Sequence, residues 1–281
     1  MSRLHPLSLA LVLSLTFLPA PAQGADAWDT WSSILASFFL GPETREEFRW
    51  SGKVAPGGTV EIKGVNGAIR VEPGAGDEVQ IVALKRGRRS SPRDVQVKVV
   101  PHDGGLTVCA VYPSTGFGPA NECRPGEGGR MNVRNNDVSV DFTLRVPAAS
   151  GVVARTVNGS VHASGLHGRV EAHTVNGSVK LDTAGAAEVE TVNGSIDAAL
   201  GRTDWSDSAS FQTVNGSITL ALPKEASTAV DARTVNGRIA VDFELAGART
   251  SRRELTGTIG AGGRKLALAT VNGGIRLVQR N

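Results

Sequence analysis

Four residues with side chains suited to saccharide chemistry occupy one position of a repeated unit in this 281-residue sequence. Each stands six residues after the Thr of a Thr-Val-Asn-Gly (TVNG) motif: His162, Lys180, Asp197 and Thr219. Acid–base cleavage of a polysaccharide needs several Asp, Glu, Lys or Arg side chains on one face. Here each residue type occurs once, so the series predicts no catalytic residue. Because distant loops can also assemble a carboxylate pair, a carbohydrate-active enzyme of the polysaccharide lyase or hydrolase type is the alternative function.

Metal and cofactor sites are not indicated either. The five His residues lack the spacing of metal ligands, and the sequence has no phosphate-binding loop and no nucleophile elbow. A net charge of +3 argues against a nucleic-acid partner. The densest basic run, KRGRRSSPR at 85–93, has no interleaved aromatic residues and is predicted to be a solvated loop. We therefore expect a non-enzymatic protein with no cofactor.

The TVNG motif itself recurs at a nearly constant interval. Its Thr falls at 156, 174, 191, 213, 234 and 270, in steps of 18, 17, 22, 21 and 36. An earlier copy reads GVNGAI at 64–69, and a degraded copy, ELTGTI at 254–259, divides the longest step. A period near 20 residues indicates a solenoid in which each unit buries its apolar side against its neighbours.

Side-chain alternation places a short strand on each side of every motif. Val170, Ala172 and Thr174 share one face before the motif, and Val179 and Leu181 share one face after it. The predicted fold is all-β, a parallel β-helix with about 16–22 residues per coil, preceded by a more irregular β region. An antiparallel meander is the competing architecture, because Asn-Gly is also a strong hairpin signal.

The Asn-Gly pair is predicted to form the corner between the two strands. Gly adopts positive φ without steric cost and Asn is the next most tolerant residue, so both suit a sharp bend. Stacked Asn amides can also bond from coil to coil. These structural corners are Asn66, Gly67, Asn158, Gly159, Asn176, Gly177, Asn193, Gly194, Asn215, Gly216, Asn236, Gly237, Asn272 and Gly273.

The amino terminus has the pattern of an export signal. The apolar run LSLALVLSLTFL is too short to span a membrane and precedes small-residue cleavage sites, so 1–24 are assigned to a signal peptide. Residues 25–45 are assigned to a short amphipathic helix that caps the first coil or contacts a membrane or a partner. Residues 46–281 form a single solenoid domain, irregular coils or sheet over 46–150 and regular repeats over 151–281. The expected location is the periplasm or the surface of a bacterium, with no transmembrane span after signal removal.

Cys109 and Cys123 are the only two cysteines in the chain. In an exported protein, a close and even pair is more often a disulfide than a metal site. We therefore expect these two residues to be bonded.

The TVNGS[VI] units resemble a known family, together with GGTVEIKGVNGAIRVEPGAGDEVQIVALKRG at 57–87 and VSVDFTLRVPAASGVVARTVNG at 138–159. They are similar to the bacterial "putative adhesin" family of exported β-solenoid proteins. The resemblance implies a parallel β-helix. It carries over no catalytic residue, because that family has no agreed active site and its function is largely unestablished.

The expected function is an adhesin-like binding or scaffolding module of the envelope or surface. Its partner would be a glycan or a protein, met by side chains repeated about every 4.8 Å. An envelope-associated regulatory partner is a further alternative. Because the chain ends shortly after the last motif, the terminal coil 270–281 is expected to leave an open edge through which the protein self-associates, unless Arg276 and Arg280 block it by charge.

Overall fold

The computed structural model describes residues 42–114, 116 and 118–280. The predicted signal peptide, 1–24, lies outside the described residues. So does most of the predicted amphipathic segment, 25–45.

The end of that amphipathic segment needs correction. Its last two residues, Thr44 and Arg45, already belong to the first strand of the solenoid domain, which pairs antiparallel along its whole length. Within the described part of the chain, no helix combines the length and the apolar character needed to cross a membrane.

The described residues form twenty-one strands and one 3₁₀ turn at Pro92–Asp94. The strands are β1 (Thr44–Lys53), β2 (Thr59–Lys63), β3 (Ile69–Gly74), β4 (Glu78–Gly87), β5 (Gln96–His102), β6 (Gly105–Val111), β7 (Ser139–Pro147), β8 (Gly151–Arg155), β9 (Val161–Leu166), β10 (Val170–Asn176), β11 (Val179–Thr183), β12 (Ala187–Asn193), β13 (Ile196–Leu200), β14 (Ala209–Asn215), β15 (Ile218–Leu222), β16 (Thr228–Asn236), β17 (Ile239–Val241), β18 (Ala246–Thr250), β19 (Glu254–Ile259), β20 (Lys265–Asn272) and β21 (Ile275–Gln279).

The strands form two facing sheets. Of the two strands that flank each motif, one lies in each sheet. The ten-stranded sheet has the order β1-β4-β7-β3-β9-β11-β13-β15-β21-β17, and the eleven-stranded sheet has the order β18-β19-β16-β20-β14-β12-β10-β8-β2-β6-β5. Successive coils pair parallel and in register, so that Thr174 lies beside Thr191 and Asn176 beside Asn193. The predicted parallel solenoid is confirmed, and the competing meander is wrong for these repeats.

The core lies between the two sheets and consists mainly of small branched side chains. Alternate residues of each strand point inward, as in β10, where Val170 and Ala172 are fully buried. Larger side chains such as Phe211 and Leu268 fill the column of Ala172 in other coils. The alternation in the sequence therefore corresponds directly to one buried and one outer face.

Hydrogen bonds between coils involve the Thr and Asn of the motif. Thr191 Oγ1 donates to the carbonyl of Gly177 in the preceding coil at 2.9 Å, and the other five TVNG motifs make the equivalent bond at 2.8–3.2 Å. The Asn amides form one continuous row with six bonds of 2.8–2.9 Å. The order of that row is Asn66, Asn158, Asn176, Asn193, Asn215, Asn272 and Asn236.

The reason for the corner glycines differs from the prediction. Of the seven, only Gly67 has positive φ, at 127°. In the other six, a Cβ atom would overlap the carbonyl oxygen of the corner Gly in the adjacent coil, as Gly194 shows against Gly177. The corners need Gly because two backbones approach closely, which periodicity alone does not reveal.

The position of the carboxyl-terminal coil also differs from the prediction. β20 lies between β14 and β16, and β21 lies between β15 and β17, so the last coil is inside the stack. The expected open edge at 270–281 is therefore wrong, because the strands of the last coil are paired on both sides. Because every motif has the same register, the last coil pairs on both of its sides and leaves fewer backbone groups unpaired than at an end.

The degraded copy ELTGTI is not a coil. It forms β19, which pairs antiparallel with β16 and also with β18. The β18–β19 hairpin covers the free edge of β16, so the coil formed by β16 and β17 is the outermost regular coil.

The region before residue 150 combines one true coil with further strands, of which β6 and β7 pair parallel with β2 and β3, whereas β1, β4 and β5 pair antiparallel. β2 and β3 form the first coil and pair parallel with β8 and β9. β1, β4 and β7 extend one sheet, and β5 and β6 extend the other. Cys109 of β6 is bonded to Cys123, as expected.

Candidate functional site: a valine groove

Five of the six positions in the repeated TVNGS[VI] unit have an internal structural role. Thr is buried and bonds the neighbouring coil, Asn bonds along the row, and Gly allows the close approach of the backbones. The Ser hydroxyl accepts a bond from the next coil, as Ser178 Oγ does from the N–H of Ser195 at 3.3 Å. The final Val or Ile enters the core, as Ile196 does. The Val of the motif is the one position without such a role.

These valines face outward and stay exposed. They are 39–52% exposed, and within the described residues they are all of the large hydrophobic side chains in the exposed class. In stack order they form what we call the valine stripe: Val157, Val175, Val192, Val214, Val271 and Val235. Val65 of the first coil is half-buried against the core.

Strand formation alone does not require Val at this position. The outward residue two places earlier in each coil varies widely, and we call this series the polar column: Arg155, His173, Glu190, Gln212, Ala269 and Arg233. Both series lie in the same strands and face outward, yet one is invariant within the chain and the other is not. Retention of an exposed apolar residue in every coil therefore favours a role in binding.

The valine stripe and the polar column line one open groove of about 700 Å³. Five of the six valines, every residue of the polar column and the six motif Thr residues line it, and the Asn row follows the valines along the chain. With coils about 4.8 Å apart, a groove past six coils is about 24 Å long. The site is thus long, shallow and apolar along its floor.

The charged residues beside the floor already have partners. His173 Nδ1 lies 3.3 Å from a carboxylate oxygen of Glu190, and Arg155 pairs with Glu127. Arg233 Nε lies 3.0 Å from Asp231. The two Arg side chains of this groove are therefore paired with carboxylates, and the Glu190 carboxylate is hydrogen-bonded to His173.

The residues first considered for catalysis lie on the other sheet. His162, Lys180, Asp197 and Thr219 form a row across neighbouring strands, which Arg70 extends at one end. The row contains no pair of neighbouring carboxylates. Among the residues described by the structure, no three His, Cys, Asp or Glu side chains are grouped so that they could hold a metal ion.

The predicted corner residues and the groove are adjacent but distinct. All seven Asn-Gly corners come together in one row, and their amides bond to one another. The valines were not identified as functional candidates from the sequence, although the sequence contains the pattern that points to them. Alternation directs the Val of every motif outward, where an apolar residue in each copy is unusual.

The family described as Toastrack DUF4097 matches residues 127–278, just over half of the chain. Among solved structures, a "putative cell adhesion protein" from Clostridium sporogenes is 12% identical, with 84% of this chain and 100% of that chain covered and a TM-score of 0.45. A "putative adhesin" from Bacteroides fragilis is 11% identical, with 84% and 97% covered and a TM-score of 0.31. No curated protein matches the sequence.

Proposed function

This chain belongs to the Toastrack DUF4097 family, and we propose that it is a non-enzymatic, adhesin-like binding module of the bacterial envelope whose contact surface is the valine groove. Its export rests on the signal-peptide pattern in residues 1–24. The observation that carries the binding role is the valine stripe. Exposed apolar side chains aligned over six coils are a contact surface, since scattered single residues would show no such order.

The occupant we propose is an extended, uncharged protein segment with apolar side chains. Among the residues that the structure describes, no Phe, Tyr or Trp lines the groove, so a sugar ring has no large flat surface on which to stack. The Thr hydroxyls donate to the neighbouring coil and the polar-column charges are paired, which leaves few groups to bind sugar hydroxyls. An apolar segment needs neither a flat aromatic surface nor free hydrogen-bonding groups.

The length of the groove limits the affinity of this contact. A chain extended at about 3.3 Å per residue spans the 24 Å groove with about seven residues. Stable protein interfaces bury about 800 Å² per partner, and a seven-residue segment covers less. We therefore expect weak single contacts, in the micromolar range or weaker, that gain strength when many copies are displayed on one surface.

A displayed library of random twelve-residue peptides tests the proposal. Selection on the wild-type protein should enrich uncharged sequences rich in apolar residues. The double variant Val192→Asp/Val214→Asp should bind the enriched peptides at least about tenfold more weakly, because each carboxylate must be desolvated against an apolar ligand. Both positions are exposed, so circular dichroism should show an unchanged fold.

The matched control adds the same charges on the other sheet, as Thr219→Asp/Ala240→Asp. This control should bind like the wild type. Equal binding by the groove variant, or enrichment of charged peptides, would overturn the proposal. Sedimentation measures self-association. If the wild type self-associates and the groove variant does not, the groove binds a second copy of the chain instead.

A further inference from the structure

A second surface, on the outer face of the ten-stranded sheet, carries three nitrogen-bearing side chains in one row. Arg70 of β3 lies beside His162 of β9, and His162 lies beside Lys180 of β11. Strands in a sheet are about 4.8 Å apart, so the three side chains lie within reach of one small ligand. We call them the cationic row.

The contact between the first two residues determines the proton on the imidazole. Arg70 Nη1 lies 3.1 Å from His162 Nδ1. A guanidinium only donates, so Nδ1 accepts and the hydrogen of the neutral ring is on Nε2. Burial, and then the charges of Arg70 and Lys180, lower the pKa of His162 against the opposing charge of Glu72, which favours this neutral form at pH 7. The row therefore presents hydrogen-bond donors from all three residues.

Of the carboxylates around the row, Asp141 and Asp182 are engaged elsewhere, whereas Asp197 lies beside Lys180 in the neighbouring strand and Glu72 follows Arg70 by two residues. Asp141 accepts from the N–H of Ala68 at 2.8 Å and pairs with Arg86. Asp182, two residues after Lys180 in β11, is held by both terminal nitrogens of Arg280 at 3.1 Å. Among the ion pairs of the described residues, none involves Arg70 or Lys180.

A depression of about 490 Å³ lies over the row. The hydroxyl-bearing residues Thr143, Ser160 and Ser178 line it together with the cationic row and with Asp141, whose carboxylate is paired with Arg86. Donors that converge on one depression, with two unpaired cations among them, have the chemistry that binds an oxyanion.

We propose that this depression binds an oxyanion group, a carboxylate, sulfate or phosphate, held by Arg70, Lys180 and the Nε2–H of His162. The site is local to three coils. Further along the same row stand Asp197, Thr219, Arg276 and Ala240, among which Arg276 is the single cation. The ligand is a small anion or one acidic group of a larger molecule, and it does not compete with the valine groove on the other sheet.

Titration with inorganic phosphate, inorganic sulfate and sodium glucuronate tests the site, with NMR detection of the His162 ring and with chloride to match ionic strength. We expect a saturable shift of the His162 signals with at least one of the three anions. Lys180→Gln should weaken that binding about tenfold, since it removes one charge-assisted hydrogen bond. The order of affinities among the three anions separates phosphate and sulfate esters from uronic acids as the source.

Arg276→Gln is the matched control, because Arg276 is an exposed Arg in the same row, between Thr219 and Ala240. It should leave the titration unchanged. A linear, non-saturable shift with all three anions would overturn the proposal. Equal weakening by Arg276→Gln and Lys180→Gln would do so as well, because it would show general attraction to positive charge.

Discussion

The regular coils and the region before residue 150 share two sheets but are held together differently. The contacts that the motif makes between regular coils are uncharged, namely a Thr hydroxyl, an Asn amide and a Gly backbone, as in Thr191, Asn193 and Gly194. Ion pairs such as Arg169–Glu188 and Lys265–Asp231 lie outside the motif. The earlier region uses charge and a covalent bond. There, buried Lys85 donates to the carbonyl of Val95 at 2.8 Å and pairs with Glu46 at 3.2 Å.

Further contacts of the earlier region follow the same pattern. Glu61 is buried and accepts from Thr107 at 2.9 Å and from the N–H of Gly126 at 3.0 Å. The Cys109–Cys123 disulfide ties the same loop to β6. The comparison teaches that a repeated motif makes every interface with the same neutral contacts. Where the motif occurs only once, individual ion pairs and a crosslink hold the strands.

The largest expected effect comes from the corner glycines of the regular coils. Gly194→Ala places a methyl group against the carbonyl of Gly177, where both neighbours are backbone and cannot rotate away. We expect the free energy of unfolding to fall by about 3 kcal/mol or more. Gly273→Ala should cost the same, because Gly273 lies inside the stack against Gly216. Urea unfolding of both variants measures this.

Gly104→Ala is the control in the earlier region. An added Cβ there meets only the ring of His102, at 3.4 Å, so the change should stay within about 0.5 kcal/mol. A much smaller effect at Gly273 than at Gly194 would contradict the interleaved position of the last coil.

Removal of the disulfide should cause the next largest loss of stability, and this loss should be confined to the region before residue 150. Its two cysteines are 14 residues apart, and a crosslink closing a loop of that size stabilises by up to about 3 kcal/mol. In the double variant Cys109→Ala/Cys123→Ala, amide hydrogen exchange should accelerate in β2 and β6 and stay slow in β12 and β14. Acceleration throughout all four strands would show that the two regions unfold as one unit.

The Asp137 carboxylate should make the smallest contribution to the free energy of unfolding, and this contribution depends on pH. Burial opposes its ionisation, but the N–H groups of Arg89, Ser90 and Arg88 outweigh burial and lower its pKa from 3.8 to about 2. A depressed pKa stabilises the fold above pH 4, and that contribution is lost as pH falls through 2. Because Asp137 is exposed, we expect about 1 kcal/mol or less.

Asp137→Asn tests this sign. It should lower the free energy of unfolding at neutral pH and lose its effect well below pH 2, where the carboxyl group is protonated in the folded state too. Equal destabilisation at both pH values would mean that the side chain acts through shape rather than charge.

Much of the fold and part of the site could be predicted from residue order. Alternation around the motifs predicted the buried faces, and the common spacing predicted a parallel stack with an Asn row. The glycines were assigned to the right corners for the wrong reason, because a close backbone approach leaves no trace in periodicity. The valines were visible in every motif, yet exposure had to be measured before they could be recognised as one surface.

The sequence by itself determined the unit, namely two short strands, the Asn-Gly corner, the buried Thr and the outward Val, because each depends on neighbours within a few residues. Only the tertiary structure decided the order of the units. A coil with the same motif can pair with any other, so residues 265–279 lie between coils that precede them in the chain. The same is true of the cationic row, since Arg70 and His162 are 92 residues apart and meet only because the first coil stacks on the second.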